Sequence, residues 1–143
     1  MLPRKVPIAA LFFACIFSLL TLAAGPALAL DVLALRVGPH PGKTRLVFEL
    51  SSQTEFRSFM LANPVRLVVD MPDFNWRAGA ITRPPGTGVK DIRQGPLQPG
   101  ISRVVIDLER PMLIGSAFVL PRKDGQPDRL VIDFSPASDA AFV

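Results

Sequence analysis

Four six-residue stretches follow one pattern: RLVFEL from Arg45, RLVVDM from Arg66, RVVIDL from Arg103 and RLVIDF from Arg129. Each is an arginine, three apolar residues, a carboxylate and one more apolar residue. Runs this short, and this rich in Val, Ile, Leu and Phe, read as strands. Successive side chains on a strand face opposite sides, so each copy sorts in the same way. Leu46/Phe48/Leu50, Leu67/Val69/Met71, Val104/Ile106/Leu108 and Leu130/Ile132/Phe134 fall on one face. Arg45/Val47/Glu49, Arg66/Val68/Asp70, Arg103/Val105/Asp107 and Arg129/Val131/Asp133 fall on the other. The fold must therefore supply four strands with one buried side and one side carrying an Arg-Val-carboxylate row.

The copies belong to a larger repeat. LRVGPHPGKTRLVFEL (35–50) aligns with IRQGPLQPGISRVVIDL (92–108), and both hold a Gly-Pro and a Pro-Gly before the hexamer. Further on, SFML and RLVVDM (58–71) align with AFVL and RLVIDF (117–134), where the second half has a hairpin about four residues longer. The chain reads as an internal duplication, with halves at about 31–73 and 89–135 and a connector from Pro72 to Gly88. Strands are expected near 32–37, 44–50, 55–61 and 65–71, then 89–94, 101–108, 113–120 and 128–134. No stretch of this region has apolar residues at helical spacing. The expected fold is all-β, a sandwich of two symmetric four-stranded sheets with their apolar faces together.

The first 29 residues read as a leader. Arg4 and Lys5 precede an uncharged apolar run from Ile8 to Ala24, followed by Gly25-Pro26 and the small-x-small Ala27-Leu28-Ala29. This is the layout of a cleaved signal peptide for the general secretory route; the other reading is a retained membrane anchor, since the run approaches spanning length. Residues 30–135 then form the domain, and 136–143 a linker or tail. The one cysteine, Cys15, leaves with the leader, so the exported domain has no disulfide and depends on packing. Of the 16 basic residues that outnumber 12 acidic ones, Arg4 and Lys5 leave too. The remaining mild positive balance can favour an anionic matrix but does not demand one.

The outward rows are the candidate functional residues: Arg45, Glu49, Arg66, Asp70, Arg103, Asp107, Arg129 and Asp133. As a purely structural device, cross-strand Arg–carboxylate pairs contribute about 0.2–1 kcal/mol each. Lys, Thr or Ser would serve as well, yet every copy uses Arg, whose planar fork binds carboxylates bidentately and stacks on flat groups. Trp76, in the connector DFNWRAG, joins the candidates because its ring can stack on a sugar face; the plainer role is to cover the edge of the core. Catalytic constellations are missing from the sequence. The single histidine, His40, lies in a Gly-Pro-His-Pro-Gly turn, and there is no His-rich zinc set, exported Cys nucleophile or G-x-S-x-G elbow.

TRLVFEL, FMLANPVRLVVDMPD (59–73) and the closing DRLVIDF together resemble the AMIN domain, over about 31–135. That family occurs at the N-terminus of periplasmic N-acetylmuramoyl-L-alanine amidases and in some type IV pilus secretins. The resemblance implies a periplasmic β-sandwich that binds peptidoglycan and localises an attached enzyme in cell-wall remodelling and daughter-cell separation. Its partners would be peptidoglycan and, further, cell-division or envelope proteins, with no nucleic acid and no stable membrane insertion after cleavage. No cofactor is implied for this chain; zinc would belong to a hydrolase domain following on the C-terminal side, whose ligands have no counterpart before Val143. The alternative function is an N-terminal assembly module of a secretin-like complex.

Overall fold

The structure, a computed structural model, describes Pro3 and residues 28–137. Apart from Pro3, Leu28 and Ala29 the expected leader lies outside the described residues, as does the tail beyond Ala137. The strands are β1 (Leu30–His40), β2 (Lys43–Leu50), β3 (Arg57–Leu61), β4 (Arg66–Pro72), β5 (Phe74–Trp76), β6 (Val89–Gln98), β7 (Ile101–Leu108), β8 (Met112–Leu120) and β9 (Asp128–Pro136). They form two sheets, ordered β5-β1-β2-β9-β8 and β3-β4-β7-β6.

The β1–β2 and β6–β7 hairpins turn on Pro41-Gly42 and Pro99-Gly100. Proline presets the first turn position, and the second needs the positive φ that glycine supplies, here +73° and +87°. Each half gives one hairpin to each sheet. Thus β1–β2 of the first half lies beside β9–β8 of the second, and β3–β4 beside β7–β6. The two seams, β2–β9 and β4–β7, are antiparallel and join the halves.

Antiparallel pairing gives the repeated hexamer its meaning. Read backwards, Arg-x-Val-x-carboxylate becomes carboxylate-x-Val-x-Arg, so opposite charges meet in register. Arg45 faces Asp133, Val47 faces Val131 and Glu49 faces Arg129. On the other sheet Arg66 faces Asp107, Val68 faces Val105 and Asp70 faces Arg103. A slip of one residue would turn the apolar set outward and lose these matches. The twelve inward hexamer residues all lie in one shared core, with Val32, Leu35, Val37 and Met112 packed among them.

Two features differ from the expectation. The five-stranded sheet gains β5 from the connector, pairing parallel with Leu30–Val32. Asp31 anchors it by accepting from Asn75 Nδ2 at 3.0 Å and pairing with Arg77 at 3.1 Å. These two partners also hold the Asp31 carboxyl below its ordinary pKa. Moreover, the outward valines are not equally open: Val68 is 1% and Val131 4% exposed. Each has a phenylalanine on one side, Phe59 or Phe118, and a valine on the other.

Candidate functional site

Each outer face presents three cross-strand rows. On the four-stranded sheet these are Leu61–Arg66–Asp107–Asp91, Phe59–Val68–Val105–Arg93 and Arg57–Asp70–Arg103–Gly95. On the other sheet they are Leu120–Arg129–Glu49–Ala34, Phe118–Val131–Val47–Arg36 and Ser116–Asp133–Arg45–Gly38. The two sets correspond almost residue for residue, as the duplication requires.

Their charges are not used alike. Arg45 grips Asp133 with its Nε at 2.8 Å and Nη2 at 2.9 Å. Arg103 grips Asp70 in the same fork, at 2.7 and 2.9 Å. Asp133 also accepts from Lys43 Nζ at 3.1 Å, and its side chain is only 5% exposed. The Arg45 guanidinium holds the Asp133 carboxyl well below the usual carboxylate range despite the opposing push of burial, and Lys43 adds to the lowering. Conversely, the carboxylate partners raise Arg45 and Arg103 above the ordinary arginine value. These two forks act as internal clamps.

Glu49 and Asp107 take partners outside the hexamers. Glu49 pairs with Arg36 at 2.7 Å, and Asp107 with the Arg93 fork at 3.2 and 3.1 Å. Arg36 and Arg93 occupy the same place in the two halves, in the aligned Leu-Arg and Ile-Arg before the Gly-Pro. That alignment was the signal for them, which a search confined to the hexamers misses.

Two hexamer arginines remain. Arg66 donates Nε to the Pro64 carbonyl at 3.1 Å and pairs with no carboxylate among the described residues. Arg129 likewise pairs with none, and its buried Nε has no hydrogen-bond partner. A buried donor left unsatisfied costs about 1–3 kcal/mol. Arg66 and Arg129 are equivalent in the duplication, so each face carries one hexamer arginine with no carboxylate partner among the described residues; Arg57, on the four-stranded face, has none either. Arg66 and Arg129 are each flanked by an edge leucine, Leu61 or Leu120, and adjoin an apolar row containing Phe59 or Phe118. Arg57 and Arg103 lie over the Phe59 ring, at 4.7 and 5.5 Å from its centre.

Trp76 stands apart from both rows, on β5. Its ring is partly buried, packs against the core and meets Phe74 at a 6.1 Å centroid distance. It also lines a shallow cleft of about 350 Å³ with Ile81, Arg83, Asp91, Ile92 and Gln94. Trp76 thus covers the core edge while keeping a surface toward solvent. His40 ends β1, exposed, beside the Pro39 carbonyl. Among the described residues no three His, Cys, Asp or Glu side chains are grouped to hold a metal.

The sequence profile of the AMIN domain matches residues 34–118, more than half of the chain. The N-acetylmuramoyl-L-alanine amidase AmiC of Escherichia coli O6:H1 is 34% identical over 116 residues, covering 76% of this chain and 27% of that protein. The N-acetylmuramoyl-L-alanine amidase AmiC of Neisseria meningitidis serogroup B is 33% identical over 108 residues, covering 72% of this chain and 26% of that protein. The chain spans about a quarter of the length of these relatives.

Proposed function

The chain belongs to the AMIN domain family, and from that footing we propose that it is a periplasmic cell-wall targeting module that binds peptidoglycan. On this reading it is the N-terminal part of an N-acetylmuramoyl-L-alanine amidase in cell-wall remodelling and daughter-cell separation, and the zinc-dependent hydrolysis belongs to a domain beyond the residues described. The likeness to two amidases of that activity supports the connection.

The observation that carries the binding role is the hexamer arginine, Arg66 or Arg129, left without a carboxylate partner on each face. Peptidoglycan offers free carboxylates on its peptide stems, together with sugar hydroxyls and amides. A guanidinium with unused donors accepts a carboxylate in two-point geometry. The adjoining Phe and Val rows give methyl groups and sugar faces an apolar bed. Clamps at Arg45 and Arg103 keep the surrounding surface fixed, so binding need not order it.

Residues 30–143 should pellet with insoluble sacculi, and less so at high salt, because exposed charge contacts are screened. Arg66→Ala combined with Arg129→Ala should weaken pelleting while the urea midpoint stays close to wild type. Pelleting of the double variant at wild-type levels would remove these arginines from the binding surface.

A further inference from the structure

We infer that the domain is bivalent: Arg66 and Arg129 are two equivalent carboxylate receptors on opposite faces, and through them one molecule bridges two separate peptidoglycan strands. This rests on the peptidoglycan reading above and adds its geometry.

The two seams bring hexamer pairs together on different sheets, and the sheets share one core with their outer rows pointing away from each other. Packed sheets lie roughly 10 Å apart, and outward side chains lengthen that separation. A polymer strand lying on one face therefore leaves the other face open to a second strand. Two independent receptors follow from the chemistry of each face. Asp70 and Asp133 are consumed by Arg103 and Arg45, and Asp107 and Glu49 by Arg93 and Arg36. Each face keeps one hexamer guanidinium, between Leu61 and Asp107 or between Leu120 and Glu49, and the four-stranded face also keeps Arg57, over the Phe59 ring. The Arg129 guanidinium meets no carboxylate among the described residues, and its Nε is buried without a hydrogen-bond partner, so its charge is not neutralised from within. An anion suits this position, whereas a neutral ligand leaves the guanidinium charge uncompensated.

Bridging changes how the wall is held. Once one face has engaged, the second binds at the high local concentration of strands in the meshwork. Avidity of this kind exceeds the single-face affinity by on the order of 10²–10⁴-fold. A module with two modest sites then stays on a sacculus while remaining exchangeable on a single chain.

Three measurements test the inference. Titration of the labelled domain with a monomeric disaccharide-peptide carrying free carboxylates, followed by NMR, should move two separate sets of amides, around Arg66 and around Arg129. Arg66→Ala should erase only the first set and Arg129→Ala only the second; Arg→Lys variants, which keep charge but lose the fork, should weaken their own set. The same ligand with its carboxylates amidated should bind at least tenfold more weakly at both faces. With long uncrosslinked strands, the wild type should produce turbidity that peaks at an intermediate protein ratio and clears in excess. Each single variant should stay clear, and its affinity for sacculi should fall on the order of 100-fold. One perturbed face, undiminished binding of the amidated ligand, or turbidity surviving in both single variants would overturn the inference while wild-type pelleting upholds the targeting reading. Failure of the wild type to pellet with sacculi would overturn both.

Discussion

Asp133→Asn separates the clamps from the rest of the surface charge. The carboxylate is nearly enclosed, receives the Arg45 fork at 2.8 and 2.9 Å, and takes Lys43 at 3.1 Å. Asparagine keeps one acceptor oxygen but turns an amide toward a cationic neighbourhood. Hydrogen bonds to charged groups contribute about 1.5–3 kcal/mol each. Water reaches the partly exposed cations and replaces some of that, leaving a net loss of about 2–3 kcal/mol. For a domain of this size the urea midpoint should fall by roughly 1.5–2.5 M, with the slope unchanged. Asp107→Asn is the control. Its partner Arg93 is 59% exposed, and such pairs contribute less than about 1 kcal/mol. The sign of the pH dependence follows from the lowered Asp133 pKa. The stabilisation is present above the unfolded value near pH 4 and is lost as pH falls toward the depressed native value. The gap between wild type and Asp133→Asn should therefore be about 1 kcal/mol smaller at pH 3 than at pH 7. Equal costs for Asp133→Asn and Asp107→Asn, or a gap unchanged between these pH values, would refute the division into clamp and rim.

Core and outer-face truncations should rank by burial. Phe48→Ala and Ile106→Ala should cost about 2–5 kcal/mol in urea melts, whereas the outward Val47→Ala and Val105→Ala cost much less. Val68→Ala, outward but enclosed, should lie between at about 1.5 kcal/mol; a cost equal to Val105→Ala would show that the Phe59 row does not shield it. Gly88 has φ +77°, and an added Cβ would lie 3.0 Å from Met112 Sδ, so Gly88→Ala should cost at least about 1–2 kcal/mol. Gly125→Ala, at φ +76° with open space around the Cβ, should cost less than Gly88→Ala in the same urea melts.

Much of this architecture was legible because the hexamer encodes it twice over. Alternation fixed which face of Leu46–Leu50 or Leu130–Phe134 is buried, and the Pro-Gly pairs marked two of the hairpins. What the alternation does not contain is the choice of neighbour. That β2 lies beside β9, and not beside β4, is decided by long-range packing, and with it the fate of every outward charge. The four arginines look identical along the chain, yet two meet a carboxylate in fork geometry and two do not. Arg36 and Arg93 redirect Glu49 and Asp107, and neither lies in a hexamer. The buried state of Val68 and Val131 likewise depends on Phe59 and Phe118 of adjacent strands. Trp76 gave no signal of β5, because a three-residue strand is too short for periodicity.

The exchange of hairpins between halves also sets when the protein can become native. Arg45 and Asp133 are separated by 88 residues, and β9 occupies an interior place in its sheet, between β2 and β8. A chain emerging from its N-terminus can close β1 on β2 early, but β2 then waits with an open edge until nearly the whole domain has appeared. Loop closure over such a span is slow compared with local hairpin formation. During that interval the apolar faces of β2 and β4 have each other to rest on but no completed seam. A nascent chain stopped before Asp128 would thus hold an unpaired β2 edge, open to pairing with other chains.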